Sequence, residues 1–341
     1  MSETIRAILS TLRDGGDLAP SQLDAAFDTL LNGQASGAQI GAFLMGLERQ
    51  GIDQAMITSG ARAMRAAMTP VKANRPCIDV CGTGGDGAHS LNISTAVAFV
   101  LAGAGQVVAK HGNRAMSSKS GAADVLEALG VNLALTPLAC AQALDEIGIA
   151  FLFAQAHHPA MAHVSGARKE LGFRTIFNLL GPLSNPAGAQ RQLIGVYSPD
   201  KCLPMAEALK ELGSQSAWIV HGAGGLDEVS LSGASLVTAL KDDAIETFEI
   251  HPNDLGLQTA PIEALRGGDA RENAGKLLDL LKGEVGPYRD IVLLNAAAAL
   301  CAVGAASDLK EGKDMAIASL DQGLAQAKLD ALIAFTSKGA T

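Results

Sequence analysis

The hydrophobic period of this chain changes near residue 70, and that change restricts its fold more than any other feature. Before it, apolar residues recur at three- and four-residue intervals: Ile5, Ile8, Leu9 and Leu12, then Leu23, Phe27, Leu30 and Leu31, then Ile40, Phe43, Leu44 and Leu47. Such spacing lines one face of a helix, so residues 1–70 read as consecutive amphipathic helices. Ser2, Ser21, Ser36 and Asp53 stand where N-caps are expected, with Gly15, Gly33 and Gly51 near the stops. From Pro76 onward short runs of strand length take over: Cys77–Cys81, Val107–Ala109, Ile149–Phe153, Gln192–Tyr197, Ala217–Val220 and Glu246–Ile250. Helical segments such as Pro199–Leu212 and Arg271–Leu281 lie next to them. Strand and helix in alternation imply right-handed crossovers and a largely parallel sheet, so this part is α/β. Between Pro159 and Leu183 the alternation lapses into two helices broken at Gly172. This insert is expected to pack back on the N-terminal helices, which makes the helical domain discontinuous.

A length of 341 residues suits two domains, and 48% hydrophobic against 18% charged residues excludes a disordered scaffold. No run of 18 uninterrupted apolar residues occurs and the first residues hold no apolar signal core, so a soluble, cytoplasmic chain without membrane contact is expected. Lys and Arg number 26 against 35 acids, a net charge of −9 that repels polyanions and argues against nucleic acid as a partner. The five cysteines are scattered, which gives neither a disulfide framework nor a zinc ribbon. Glycine is plentiful at 38 residues and aromatics are few, which favours backbone approaching ligands over an aromatic recognition surface.

Three segments carry chemistry. The first is Cys81-Gly82-Thr83-Gly84-Gly85-Asp86-Gly87, directly after a strand. It satisfies G-x-G-x-x-G, but a dinucleotide site also needs an acid about 20 residues further on, after the second strand. That strand ends in Lys110-His111. What remains is a phosphate cradle: glycine amides, then Ser90, Asn92, Ser94 and Thr95 at the mouth of the next helix with its positive dipole. The second segment, Lys110 to Gly121, concentrates Lys110, Arg114 and Lys119 with Ser117, Ser118 and Ser120. It reads as an arm closing over phosphates beside the cradle. The third, His221-Gly222-Ala223-Gly224-Gly225-Leu226-Asp227-Glu228, puts two carboxylates on a glycine-rich loop and suits Mg²⁺, which takes one or two carboxylates plus phosphate and water oxygens. Arg168, on a helix after His157-His158, suits a carboxylate ligand or a surface ion pair. No P-loop and no G-x-S-x-G occurs, so displacement at a phosphate- and metal-held centre is expected.

Together, the loop Cys81 to Gly87 with Asn92-Ile93-Ser94-Thr95, the run Lys110 to Gly121, the stretch Gly172 to Pro186 and the loop His221 to Glu228 resemble the anthranilate phosphoribosyltransferase family. The resemblance covers most of the chain. It implies transfer of a phosphoribosyl group from 5-phosphoribosyl 1-diphosphate to anthranilate with Mg²⁺, in tryptophan biosynthesis, by a homodimer. It implies a small all-helical domain (1–70 plus about 158–188) hinged to a larger α/β domain (about 75–157 plus 189–341) with a mostly parallel central sheet. On the matching positions, Gly82, Gly85, Asp86, Ser90, Asn92, Ser94, Thr95, Lys110, Ser117, Ser118, Lys119, Ser120, Gly121 and Ala122 would surround the diphosphate substrate. Ser94, Asp227 and Glu228 would hold metal, and Gly82, Asn113 and Arg168 would receive anthranilate. His111, His157, Gly181 and Pro182 would line the same channel. No residue is implied as a general acid or base. Gly224 replaces a more usual Asp and Leu91 a common Phe. Two rivals are weighed beside it. A pyrimidine nucleoside phosphorylase-like enzyme would carry a Lys-x-Ser-x-Gly-Gly loop where Cys81-Gly82-Thr83 stands. A non-catalytic, nucleic-acid-binding relative would carry a basic surface.

Overall fold

A computed structural model of the chain describes residues 3–115 and 119–338. Four helices come first: α1 (Glu3–Arg13), α2 (Pro20–Leu31), α3 (Gly37–Gln50) and α4 (Gln54–Ala67). The helical periodicity holds, since the apolar positions named from Ile5 to Leu47 are buried, with Leu9 half-buried. Ser36 and Gln39 cap α3 reciprocally: Ser36 Oγ accepts from the Gln39 amide at 3.3 Å, and Gln39 Oε1 accepts from the Ser36 amide at 2.9 Å. Asp53 caps α4 by accepting from the Met56 amide at 2.9 Å. Ser21, expected as a cap, instead lies inside the first turn of α2. Pro20 takes the first helical position, where its fixed φ and missing N–H suit the helix, so Ala19 becomes the cap residue. Ser2 lies outside the described residues.

The chain then alternates through β1 (Ile78–Gly82), α5 (Ile93–Gly103), β2 (Val108–Gly112), α6 (Ala122–Ala128), α7 (Pro137–Glu146) and β3 (Ile149–Phe153). A helical insert follows, α8 (Ala154–His157), α9 (Ala162–Leu171) and α10 (Ile176–Leu180), before β4 (Arg191–Gly195), α11 (Cys202–Glu211) and β5 (Ser216–His221). The hairpin β6 (Ser235–Lys241) and β7 (Ala244–Ile250) precedes α12 (Ala270–Leu281), α13 (Pro287–Ala302), α14 (Leu309–Asp321) and α15 (Leu324–Lys338). Among the described residues seven strands form one sheet in the order β3-β2-β1-β4-β5-β6-β7. Its first five strands are parallel, while β6 and β7 run antiparallel.

Two departures from the sequence reading have physical reasons. The alternation does not continue past β5, because residues 222–234 return the chain to β6 antiparallel to β5 without a crossover helix, and β6 turns into β7 through Asp242 and Asp243, both at positive φ, +48° and +63°. Strand β2 also runs past Ala109, since its ladder with β3 extends to Gly112 opposite Phe153. Lys110 and His111 are therefore buried strand residues and not part of a solvated arm.

Helix α5 is buried on nearly every side, packed between the sheet and the C-terminal helices α13, α14 and α15. The other sheet face is covered by α11 and by the helical layer. The insert joins that layer, with Val164, Ala167, Ile176, Phe177 and Leu180 in the same apolar cluster as α2 to α4. Phe27 stands edge-on to both Phe43 and Phe177, at 5.4 and 6.2 Å between ring centroids. The cluster runs on through Ile194, Val196 and Met205, so one apolar core joins helical layer and sheet. Among the described residues no helix is long and apolar enough to cross a membrane.

Candidate active site

In a doubly wound sheet the connections reverse direction beside the central strand, and the loops leaving the carboxyl ends there part to form a crevice. Here β1 is that strand, with β2 on one side and β4 on the other. Three segments meet at this edge. Thr83 N–H donates to the Gly195 carbonyl at 2.9 Å, and Thr83 Oγ1 accepts from Tyr197 N–H at 3.2 Å, which tie the loop after β1 to the end of β4. Gly84 N–H donates to Asp227 Oδ2 at 2.7 Å, which ties the same loop to the one after β5. Glycine is needed at both contacts: a Cβ at Gly82 would fall on the Asp227 carboxylate, and one at Gly195 on the Asp227 carbonyl.

The loop after β1 turns through left-handed backbone at Gly84, Gly85 and Gly87, with φ of +68°, +78° and +76°. The amides of Gly85, Asp86 and Gly87 have no partner among the described residues, while the Asp86 carboxylate accepts from the Ala88 amide at 3.1 Å. Three free backbone donors in succession make an anion-binding concavity. Beside it lie the acids. Asp86 lies close enough to Asp227 for its charge to act there, and burial followed by that charge pushes the Asp227 carboxyl up to about 7. Glu228 is buried beside the Ser94 amide in the first turn of α5. Burial, then the Asp227 charge, pushes it well above the usual carboxylate range against the pull of Lys110. Three carboxyls crowded at the edge of a donor-rich loop suit an added cation, because a positive ion would reverse each of these shifts.

The remaining expected residues divide. Lys110 is buried, with Nζ 3.1 Å from the His111 carbonyl and its charge felt by Asp79 and Glu228. Thr95 is fully buried, its hydroxyl without a partner among the described residues. Asn92 turns from the mouth of α5 to accept from Asn273 Nδ2 at 2.9 Å, and Ser90 forms an isolated bridge with Arg266. Beyond β2 the arm is less cationic than expected. Arg114 folds onto α6 in ion pairs with Asp124 and Glu127, at 3.0 and 2.8 Å. Asp124 also accepts from Gly121 N–H, ahead of Ala122 at the start of α6, and Lys119 is exposed while Ser120 is buried. Ser117 and Ser118 lie outside the described residues.

A second group lies on the helical side. The His111 and His158 rings stand 5.1 Å apart, with His111 Nε2 buried and without a partner among the described residues. Pro182 is buried, its carbonyl accepting from Gln192 Nε2 at 2.7 Å. Arg168 lies half-buried over the Phe177 ring at 5.4 Å and makes no ion pair with any described residue. Asn113 is exposed, near Gln155. His157 is fully buried and engaged with the Thr69 carbonyl at 3.0 Å, so the fold already uses its ring.

Residues 74–326 match the family model described as the glycosyl transferase family, a/b domain, and residues 6–68 match the helical bundle domain of that family. An anthranilate phosphoribosyltransferase of Rhodopseudomonas palustris is 52% identical over 332 residues, 97% of this chain and 98% of the relative. The crystal structure of anthranilate phosphoribosyltransferase from Thermus thermophilus superposes with a TM-score of 0.92 at 43% identity, covering 96% of this chain and 99% of that one. The Saccharomyces cerevisiae enzyme in complex with PRPP and Mg superposes at 0.91 with 30% identity, covering 99% of both chains. The chain belongs to the anthranilate phosphoribosyltransferase family.

In this member of the anthranilate phosphoribosyltransferase family, two structural supports of the crevice, Asp79 and Asn185, lie outside the residues expected at the site. β1 and β2 keep a single registered pair, Ile78 with Val108, and then part. The backbone groups so exposed are met by side chains: Asp79 Oδ1 accepts from His111 N–H at 3.0 Å, and Asn185 Nδ2 donates to the Ala109 carbonyl and to Asp79 Oδ2, each at 2.8 Å. The signal was present, since an acid inside an otherwise apolar parallel strand must be hydrogen-bonded. Arg174 was passed over as well, although it lies inside the quoted stretch Gly172 to Pro186.

Proposed function

We propose that this chain joins the amine of anthranilate to the 5-phosphoribosyl group of PRPP, releasing pyrophosphate, in L-tryptophan biosynthesis. The observation that carries the reading is the meeting of free glycine-loop amides with the Asp227–Glu228 pair through the Gly84–Asp227 hydrogen bond. Gly82, Gly85, Asp86 and Gly87 with the first turn of α5 receive the diphosphate, with Lys110 beside them.

The donor set fits Mg²⁺: carboxylate and hydroxyl oxygens from Asp227, Glu228 and Ser94, all hard ligands. Among the described residues no three His, Cys, Asp or Glu side chains form a complete cage, which suits an ion that takes part of its coordination from substrate phosphate and water. When bound, Mg²⁺ would neutralise charge on the departing pyrophosphate. Arg168 receives the anthranilate carboxylate, its guanidinium lying over the Phe177 ring and in no ion pair among the described residues. His111, Asn113, Gly181 and Pro182 line the approach. An aromatic amine already carries a free lone pair at neutral pH, so attack on the anomeric carbon needs no prior proton removal. Orientation and exclusion of water are then the work of these side chains.

The chain works in the cytoplasm and as a homodimer through its helical layer, where Met45 of α3 presents an exposed apolar side chain. Elution as a monomer at working concentration would overturn the homodimer.

The test follows anthranilate fluorescence with PRPP and Mg²⁺. Wild type consumes anthranilate only when all three are present. Arg168→Ala raises the anthranilate KM about tenfold or more, the loss of one charge-assisted bidentate contact. An unchanged anthranilate KM would overturn the role of Arg168, and absence of PRPP-dependent consumption by wild type would overturn the function.

A further inference from the structure

Arg174 spans the crevice. It lies in the short link between α9 and α10, where Gly172 ends one helix in left-handed backbone and Thr175 opens the next. From the helical side Arg174 Nη1 reaches across 89 positions of sequence to donate to the Gly85 carbonyl at 2.8 Å. Its guanidinium lies 4.4 Å from the centroid of the Tyr197 ring, just beyond β4. It stands close enough to Glu48 of α3 to act on that carboxyl. The side chain is exposed and makes no ion pair among the described residues. An arginine stacked on an aromatic ring keeps its plane, and its other N–H groups stay directed by that plane.

The consequence concerns a peptide unit. In a trans peptide the C=O and the following N–H point in opposite directions. With the Gly85 carbonyl held by Arg174, the Asp86 N–H faces away from the helical side. That N–H is one of the three free donors of the loop. A peptide that follows a left-handed glycine is otherwise easily turned, because glycine tolerates both signs of φ.

We infer that Arg174 is a positioning residue for PRPP: its bond to the Gly85 carbonyl fixes the Gly85–Asp86 peptide so that the Asp86 amide is presented to a phosphate oxygen. This rests on the reading of the glycine loop as the diphosphate site. The residue makes one region of the fold, the helical insert, set the shape of the cradle in the other.

The test compares Arg174→Ala, Arg174→Lys and wild type by steady-state kinetics in each substrate, by calorimetric titration of PRPP with Mg²⁺ in the absence of anthranilate, and by thermal melting. Arg174→Ala should weaken PRPP binding and raise the PRPP KM about tenfold, with the anthranilate KM within twofold of wild type and the melting temperature unchanged. Arg174→Lys, which keeps a donor for the carbonyl, should recover most of the PRPP affinity. An unchanged PRPP affinity in Arg174→Ala overturns the inference, as does a shift confined to anthranilate. If instead wild type itself fails to bind PRPP, the reading of the loop fails before Arg174 is in question.

Discussion

The loops after β1 and β5 look alike in sequence, each a glycine-rich run ending in acid after a parallel strand, yet they present opposite chemistry. The loop after β5 folds upon itself. Gly222 N–H donates to the Leu226 carbonyl at 2.8 Å, Gly225 N–H to the Gly222 carbonyl at 3.1 Å, and Ser232 Oγ to the Ala223 carbonyl at 3.0 Å. With its backbone so occupied, it offers carboxylates. The loop after β1 leaves three successive amides free and offers backbone donors. Glycine content thus says that backbone comes close to something. Whether amides or side chains face the ligand depends on which hydrogen bonds the loop makes to itself.

The largest effect expected from this contrast belongs to Asp227→Asn combined with Glu228→Gln. An amide oxygen at 227 still accepts from Gly84 N–H, so the junction of the loops survives, while the two repelling charges are gone. Turnover with PRPP and Mg²⁺ should fall by about 10²–10³-fold, as when one focused electrostatic contribution is removed. The metal-free protein should melt no lower than wild type, because burial of both acids already works against their ionisation. Stabilisation by added Mg²⁺ with pyrophosphate should disappear, since it depends on binding to the folded state. Full turnover in the double variant would make the two loops equivalent and remove the distinction.

Next in size is Gly195→Ala. The new methyl would fall on the Asp227 carbonyl, a backbone atom that cannot rotate aside. Overpacking of this kind costs roughly 1–3 kcal/mol, and the loop after β5 should shift from β4. Loss of stability together with weaker Mg²⁺-dependent PRPP binding is expected. A variant as stable and active as wild type would show that the acid loop is not anchored on β4.

How much of this was legible before any coordinates depended on the kind of signal. The helices of the first 70 residues were readable because apolar spacing and caps agreed, as at Ser36 and Asp53. The convergence of Gly82 to Gly87 with Asp227 and Glu228 was readable because parallel strands send their loops to one edge. Lys110 and His111 were misplaced, since a charged residue at a strand end resembles loop in one dimension and only the β3 ladder draws it inside. Arg114 was taken for part of a cationic arm, but its partners Asp124 and Glu127 lie along the first turns of α6, a pairing that requires the loop to fold back first. Strand β6 was passed over because its turn uses Asp242-Asp243 in place of a glycine signal. Asp79 and Asn185 escaped because their purpose is to close a gap between β1 and β2: an acid inside an apolar strand signals that a partner is needed, but one dimension does not say that the partner is Asn185 or that the strands part there.

The finest test of the contrast pairs Gly87→Ala with Gly225→Ala. Both glycines have positive φ, +76° and +84°, and at neither would a Cβ meet another atom within 4 Å. The two substitutions therefore carry a similar backbone penalty of about 1 kcal/mol and should lower the melting temperature by similar amounts, a few degrees. They differ in what the amide is doing. Gly225 N–H is already bonded inside its own loop, whereas Gly87 N–H is free. Relief of strain at Gly87 by rotation of the adjoining peptide would turn a free donor away, and the PRPP KM should rise about threefold. The same rotation at Gly225 breaks an internal turn and leaves the PRPP KM within twofold. Equal shifts in KM at the two positions would mean that strain, not amide presentation, governs the cradle.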